Sequence, residues 1–159
     1  MKRIILTVLP LLLVITAYGQ VTLPLSQGFE GAPFPPSGWT QAFISGTRPW
    51  TVNQGGFKPP GISYGSPPFA YEGDYNAFFQ TNTVGHITKL ITPTLDMRTV
   101  AKPILQFYEA RVKRLQADEL RVYFRISPQD DWHLLEEYLD ESAVWTHRQI
   151  VLPFKNTQY

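Results

Sequence analysis

Apolar and polar residues alternate through residues 119–127, and this pattern predicts a strand with one buried face. Every second position is aliphatic or aromatic, and the apolar set is Leu120, Val122, Phe124 and Ile126. A period of two places successive side chains on opposite faces of an extended chain. The residues that follow, 127–131, are Ser-Pro-Gln-Asp-Asp and have the composition of a turn.

Four further segments are predicted to be strands from their β-branched, aromatic or alternating residues. They are 103–113 with Leu105 and Phe107 inside, 145–154 with Ile150, Leu152 and Phe154 on one face, 75–81, and 86–91. Residues 133–143 allow two interpretations. Their apolar residues have helical spacing, but a strand followed by an acidic loop fits equally well.

The short segments recur along a chain rich in turn residues, because most of its 14 prolines and 11 glycines lie between Leu23 and Pro103. No alternation of strands with long helices is present, which favours an all-β, antiparallel sandwich or barrel. The length of 159 residues suits one domain, and 43% hydrophobic residues are enough for a core.

The N-terminus has the pattern of a secretory signal peptide over residues 1–19. Lys2 and Arg3 precede an apolar run from Ile4 to Ile15, and small residues stand at Ala17 and Gly19. The run is short for a membrane span, which needs about 20 residues. We therefore predict a secreted or cell-surface protein whose mature domain covers residues 20–159.

Cleavage changes the charge of the chain. Loss of Lys2 and Arg3 leaves 12 basic residues against 13 acidic ones, so the formal net charge moves from +1 to −1. We therefore do not expect the mature chain to bind nucleic acid or to insert stably into a membrane. The chain has no cysteine, which excludes disulfides, thiol nucleophiles and thiolate zinc sites.

Motifs of nucleophilic, nucleotide-binding or metallopeptidase chemistry are absent from the sequence. The carboxylates that could act as an acid and base pair show no selective spacing: Glu30, Glu72, Asp74, Asp96 and Glu109. The donors Asp130, Asp131, His133 and Glu136 are interpreted as a solvated turn. We therefore predict no enzyme. Two or three of the four tryptophans are expected in the core, and the remaining one is then available for a surface on which sugar rings stack.

The order of several short motifs resembles the cleaved-adhesin, or choice-of-anchor J, domain, a MAM-like family of gingipain-haemagglutinin type. The resemblance spans residues 26–153 and rests on FEGAPFPPSGWT (29–40), WTVN (50–53), YEGDYNAFF (71–79), TKLITPTLDM (88–97), PILQFYEARV (103–112), DELRVYFRIS (118–127) and WTHRQIVLP (145–153).

The resemblance implies a jelly-roll β-sandwich that serves adhesion by binding a glycan or an extracellular protein. It also implies a structural calcium, with Glu30 and Asp74 as matching ligands, although two side chains are a partial site because calcium takes six to eight oxygens. Family members continue with further strands after the one that matches residues 148–153, whereas this chain stops at Tyr159. We therefore expect the last strands of the family fold to be missing and strand edges to be exposed. We also expect the chain to belong to a longer protein.

Two alternative functions stay open beside adhesion. One is a carbohydrate-binding module of a modular hydrolase or peptidase, and the other is a non-functional truncated fragment. Within 29–40, Phe29 is expected to end the first strand, Glu30 to face a cation, and residues 33–36 to run extended. Trp39 is expected to be at least half-buried where a strand begins.

Overall fold

The protein is all-β in the part that a computed structural model of the chain describes, residues 21–56, 67–81, 83–112 and 119–153. Ten strands and no helix lie in these ranges. The strands are β1 (Val21–Thr22), β2 (Thr40–Ser45), β3 (Thr51–Asn53), β4 (Asn76–Phe78), β5 (Ile87–Ile91), β6 (Leu95–Asp96), β7 (Ile104–Arg111), β8 (Leu120–Phe124), β9 (His133–Tyr138) and β10 (Ser142–Val151).

The strands form five two-stranded sheets, paired β1·β6, β2·β5, β3·β4, β7·β10 and β8·β9. Four pairs are antiparallel, as predicted. The short pair β1·β6 is parallel, contrary to that expectation, and joins Val21 to Leu95 and Thr22 to Asp96. Within the described ranges each sheet is open, so one edge of every strand lacks a strand partner.

The β8·β9 hairpin decides the two interpretations of residues 133–143 in favour of a strand. Its turn is closed by hydrogen bonds from the Asp130 N–H to the Ser127 carbonyl and from the Ser127 N–H to Asp130 Oδ2. The predicted turn is therefore confirmed. Leu134 lies opposite Tyr123 and remains exposed, so the helical spacing of the leucines is not used. The alternation of burial predicted for 119–127 holds from Leu120 to Val122. Tyr123 and Phe124 are both half-buried, and Ile126 is exposed beyond the strand end.

The longest pair, β7·β10, confirms the predicted strands 103–113 and 145–154 in their described parts. Leu105 and Phe107 are half-buried and alternate with exposed neighbours. On β10, Ile150 is 8% exposed and pairs with Leu105. Phe154 and Lys113 lie outside the described residues. The strands predicted at 75–81 and 86–91 correspond to β4 and β5.

A buried ion-pair network lies on the inner face of this sheet. Glu109, 6% exposed, accepts hydrogen bonds from Arg111 on its own strand and from Arg148 on β10. Arg111 in turn donates to the backbone carbonyls of Tyr138 and Asp140, and the Arg148 guanidinium lies 4.5 Å from the Tyr138 ring centroid. The network therefore connects β7·β10 to the end of β9.

The segment 29–40 differs from its prediction at two points. Phe29 does not end a strand, because β1 stops at Thr22 and Phe29 has a left-handed φ of 63°. Residues 31–35 bend and do not run extended. Phe29 instead packs its ring on Phe34, at 5.9 Å between centroids, and edge-on to Trp39, at 5.3 Å. Trp39 is half-buried immediately before β2, as expected.

The four tryptophans do not divide into core and surface as predicted. Trp39, Trp50, Trp132 and Trp145 are all half-buried. Trp50 shows why: its indole N–H donates to the Thr88 carbonyl and its ring packs on Phe79, at 5.3 Å, along the side of the sheets. Two-stranded sheets cover only one side of such a large ring, so its other side remains partly accessible.

Candidate functional site

The structure brings together the two chain segments that carry the predicted calcium ligands. Glu30 accepts hydrogen bonds from the backbone N–H of Asp74, at 3.1 Å to Oε1 and 3.2 Å to Oε2, and from the N–H of Tyr75, at 3.0 Å to Oε1. The residues are 44 and 45 positions apart in the chain. Glu30 therefore fastens the loop before β4 to the loop before β2; we call this contact the Glu30 clasp.

A glycine makes the Glu30 clasp possible. Gly73 has a φ of +69°, which side-chain-bearing residues rarely adopt, and a Cβ at this position would overlap the Glu30 carboxylate. The left-handed residue turns the following N–H groups of Asp74 and Tyr75 toward the carboxylate. The sequence EGD thus supplies a small anion-binding loop for a glutamate elsewhere in the chain.

The Glu30 clasp is exposed, and in it the Glu30 carboxylate contacts the backbone N–H groups of Asp74 and Tyr75. A carboxylate oxygen that accepts an amide N–H keeps a second lone pair, which a hard cation could share. In the described ranges, no cluster of three or more His, Cys, Asp or Glu residues is arranged to hold a metal ion.

A second feature is an aromatic surface on the outer face of β7·β10, formed by Phe69, Tyr71, Tyr108 and His147 and called here the tyrosine platform. Tyr71 stacks on Tyr108 with ring centroids 3.4 Å apart and planes inclined by 14°. His147 is the cross-strand partner of Tyr108, and their rings are 5.0 Å apart. The Trp145 indole N–H donates to the Phe69 carbonyl at 2.9 Å and holds the loop over the sheet.

The tyrosine platform is open to solvent. Phe69 is 75% exposed and Tyr71 is 50% exposed, although both belong to residue types that usually bury most of their surface. A hydrogen bond with the Tyr108 side chain raises the pKa of Tyr71 above its usual range, so the Tyr71 hydroxyl remains protonated at neutral pH. The platform therefore offers exposed aromatic rings whose polar ends can form hydrogen bonds.

The cross-strand pairs next to the tyrosine platform are one polar pair and one apolar pair. Gln106 and Gln149 pair across the strands through a side-chain hydrogen bond of 2.9 Å, and Ile104 and Val151 form the next, exposed pair. Amide groups beside aromatic rings are typical of surfaces that bind polar ligands with apolar faces. The outer face of β7·β10 thus carries both kinds of contact.

A third feature combines cations with aromatic rings between β5 and the β8·β9 hairpin. Lys89 Nζ lies 4.5 Å from the centroid of the Trp132 ring and 4.9 Å from that of Tyr123, while the Arg125 guanidinium lies 4.5 Å from Trp132. Partial burial and then the nearby Arg125 lower the pKa of Lys89. We call these four residues the cation–indole cluster.

The remaining residues considered for chemistry have local structural contacts. His86 accepts the Thr47 N–H at 3.3 Å, Asp96 pairs with Arg98 at 2.5 Å, and Glu109 lies in the ion-pair network. The tyrosine platform and the cation–indole cluster were not predicted from the sequence. Alternation in β7 and β10 marks Tyr108 and His147 as outward residues, but nothing in the sequence places Tyr71 or Lys89 against their partners.

The fold and these surfaces define an all-β chain with open sheets and an exposed aromatic face. Searches against protein-family models, curated proteins and solved structures find no match to this chain. Among the described residues, no helix has the length and apolar character needed to cross a bilayer. The predicted signal peptide, residues 1–19, lies outside the described ranges.

Proposed function

We propose that the mature chain is a secreted, non-enzymatic binding module that serves adhesion by binding glycans through the tyrosine platform. The proposal includes a jelly-roll sandwich as its architecture and a calcium ion at the Glu30 clasp as a stabilising element. It draws on the signal-like N-terminus, on the ordered motifs that resemble the cleaved-adhesin family, and on the exposed aromatic face.

The tyrosine platform is the observation that carries the proposal. Its upper ring, Tyr71, is fixed from below by Tyr108 and is exposed on the side away from the sheet. A ring already held in place loses little freedom when a flat ligand face packs on it. Sugar rings have such apolar C–H faces together with hydroxyls, which match the neighbouring glutamine pair.

The contacts of three of the five candidate carboxylates favour binding over catalysis. Glu30 is engaged by two backbone N–H groups, Asp96 by Arg98, and Glu109 by two arginines. A general acid and base pair needs carboxyl groups that face a shared substrate space about 5–10 Å apart. These three carboxylates are each committed to a separate structural contact.

Calcium is proposed at the Glu30 clasp because the clasp unites the two residues that the family resemblance selects. Glu30 would supply a carboxylate oxygen, Asp74 a second carboxylate, and backbone carbonyls and water the rest of the six to eight oxygens. A cation there would join the loops before β2 and β4 more firmly than the exposed hydrogen bonds alone.

The glycan proposal is tested by binding measurements on the secreted chain with a matched pair of variants. Tyr71→Ala removes the ring of the platform that is 50% exposed, whereas Phe43→Ala removes a ring of similar exposure, 53%, on the β2·β5 sheet. We expect a glycan array to detect binding to the wild type that Tyr71→Ala weakens at least tenfold and Phe43→Ala leaves unchanged. Equal binding by both variants, or none by the wild type, contradicts the proposal.

A further inference from the structure

The cation–indole cluster concentrates positive charge around one tryptophan. Lys89 from β5 and Arg125 from the end of β8 both lie 4.5 Å from the Trp132 ring, and Lys89 also contacts Tyr123. Cation–π attraction holds each cation over the ring. It orients the two cations, but it does not neutralise them.

No described carboxylate forms an ion pair with either cation. Ion pairs in the described ranges form at Arg98, Arg111, Arg121 and Arg148. Arg125 donates through Nη1 to the Pro128 carbonyl at 2.8 Å, which engages one of its five N–H groups. Asp130, in the turn that follows Arg125, accepts the Ser127 N–H. Two like charges therefore lie over one indole ring without an ion-pair partner among the described residues.

Partial burial makes this arrangement costly unless an anion is present. Both cations and the Trp132 ring are half-buried, and the pKa of Lys89 is lowered by burial and by repulsion from Arg125. An anion between the two cations would offset both effects. Arginine suits this role because its planar fork binds carboxylate or sulfate groups through paired hydrogen bonds.

We infer that the cation–indole cluster is a second ligand site, which binds the carboxylate or sulfate group of an acidic glycan. The inference rests on the proposed glycan-binding function and adds a substrate class to it. The half-buried Trp132 edge gives the apolar part of a charged sugar a surface beside its anionic group. Lys89 and Arg125 supply the two charges that distinguish an acidic from a neutral glycan.

The test compares acidic and neutral probes on full-length secreted protein at low and physiological salt. The probes are a sulfated heparin oligosaccharide, a carboxylated oligogalacturonate, neutral dextran and a polyglutamate peptide. Lys89→Gln/Arg125→Gln removes the two charges of the cluster. Arg48→Gln/Lys102→Gln removes two charges from exposed residues elsewhere and serves as the control. The single variant Arg125→Gln replaces the double variant if the latter fails to fold.

We expect the cluster variant to bind at least one acidic oligosaccharide tenfold or more weakly, with the control variant within twofold of wild type. Trp132 should report the event directly, so Trp132→Phe should remove the fluorescence change on binding. Equal weakening in both charge variants, or equally tight binding of polyglutamate, overturns the inference. Neutral glycan binding that depends on Tyr71, with no preference for acidic probes, overturns the inference and leaves the proposed function standing.

Discussion

Glu109 is the position at which a single substitution should destabilise the fold most strongly. It is 6% exposed on the inner face of β7 and accepts three hydrogen bonds from two arginines. Arg111 Nε lies 2.8 Å from Oε2, and Arg148 places Nη2 at 2.7 Å and Nε at 3.1 Å from Oε1. Glu109→Gln removes the negative charge and leaves both guanidinium groups in place, facing a neutral amide.

The magnitude follows from the geometry. A hydrogen bond to a charged group contributes about 1.5–3 kcal/mol, so three give about 4.5–9 kcal/mol before corrections. Two corrections reduce this: the Arg148 side chain is 29% exposed and can recruit water, and bonds that share one carboxylate are not additive. Removing one partner of a buried ion pair costs about 3–5 kcal/mol, which is the loss we expect. For a domain of this size it corresponds to a melting point about 10–20 °C lower.

Urea unfolding at pH 7, followed by tryptophan fluorescence, measures the change in the free energy of unfolding. Glu137→Gln is the matched control, because it breaks an ion pair to Arg121 whose side chain is 40% exposed, and it should cost less than about 1 kcal/mol. Glu109→Met combined with Arg111→Met and Arg148→Met should recover much of the loss, because no charge stays unpaired. A Glu109→Gln protein within about 1 kcal/mol of wild type, at an unchanged urea slope, refutes the reasoning.

Three other outcomes are expected. Gly73→Ala and Gly31→Ala each place a side chain at positive φ, which costs about 1–2 kcal/mol, but only Gly73→Ala displaces Glu30. Thermal melts should therefore show that the Gly73→Ala protein is less stable than the Gly31→Ala protein. Equal melting points argue against the Glu30 clasp. Millimolar calcium should raise the melting point of the wild type above its value in EDTA, and Glu30→Gln or Asp74→Asn should abolish the rise. A wild-type melting point that is the same with calcium and with EDTA removes the metal from the proposal. Hydrogen bonds from Arg98 lower the pKa of Asp96 from 3.8 to about 2. The ionised Asp96 carboxylate therefore stabilises the fold at pH values above 3.8, and this contribution is lost as the pH falls from 3.8 toward 2. An NMR titration that gives a pKa of 3.8 for Asp96 contradicts this expectation.

The all-β class and several strands were predictable because their information is local. Residues 119–127 alternate apolar with polar side chains, and residues 103–113 are rich in β-branched and aromatic ones. Both patterns can be read without knowing which strand pairs with which. Turn residues at 127–131 likewise act through their own backbone and side-chain hydrogen bonds. The prediction that Trp39 is half-buried at a strand start was also correct.

Residues 133–138 show where local patterns stop being sufficient. Their leucines have helical spacing, yet the backbone pairs with β8 and leaves Leu134 exposed. Pairing with β8 satisfies the backbone N–H and C=O groups along one edge of the segment, and these hydrogen bonds come from another strand and not from the segment itself. The choice therefore depended on a neighbour across the turn and not on the segment itself.

The surfaces with proposed functions depend wholly on contacts between distant segments. Tyr71 and Tyr108 meet because a loop folds over β7·β10, and Lys89 meets Trp132 because β5 lies beside the β8·β9 hairpin. The sequence by itself determined the strand class, the turn at 127–131 and the outward position of alternate residues, since these follow from local backbone geometry. Only the tertiary structure decided which rings, cations and carboxylates face one another, because those pairings depend on how separate strands are placed in space.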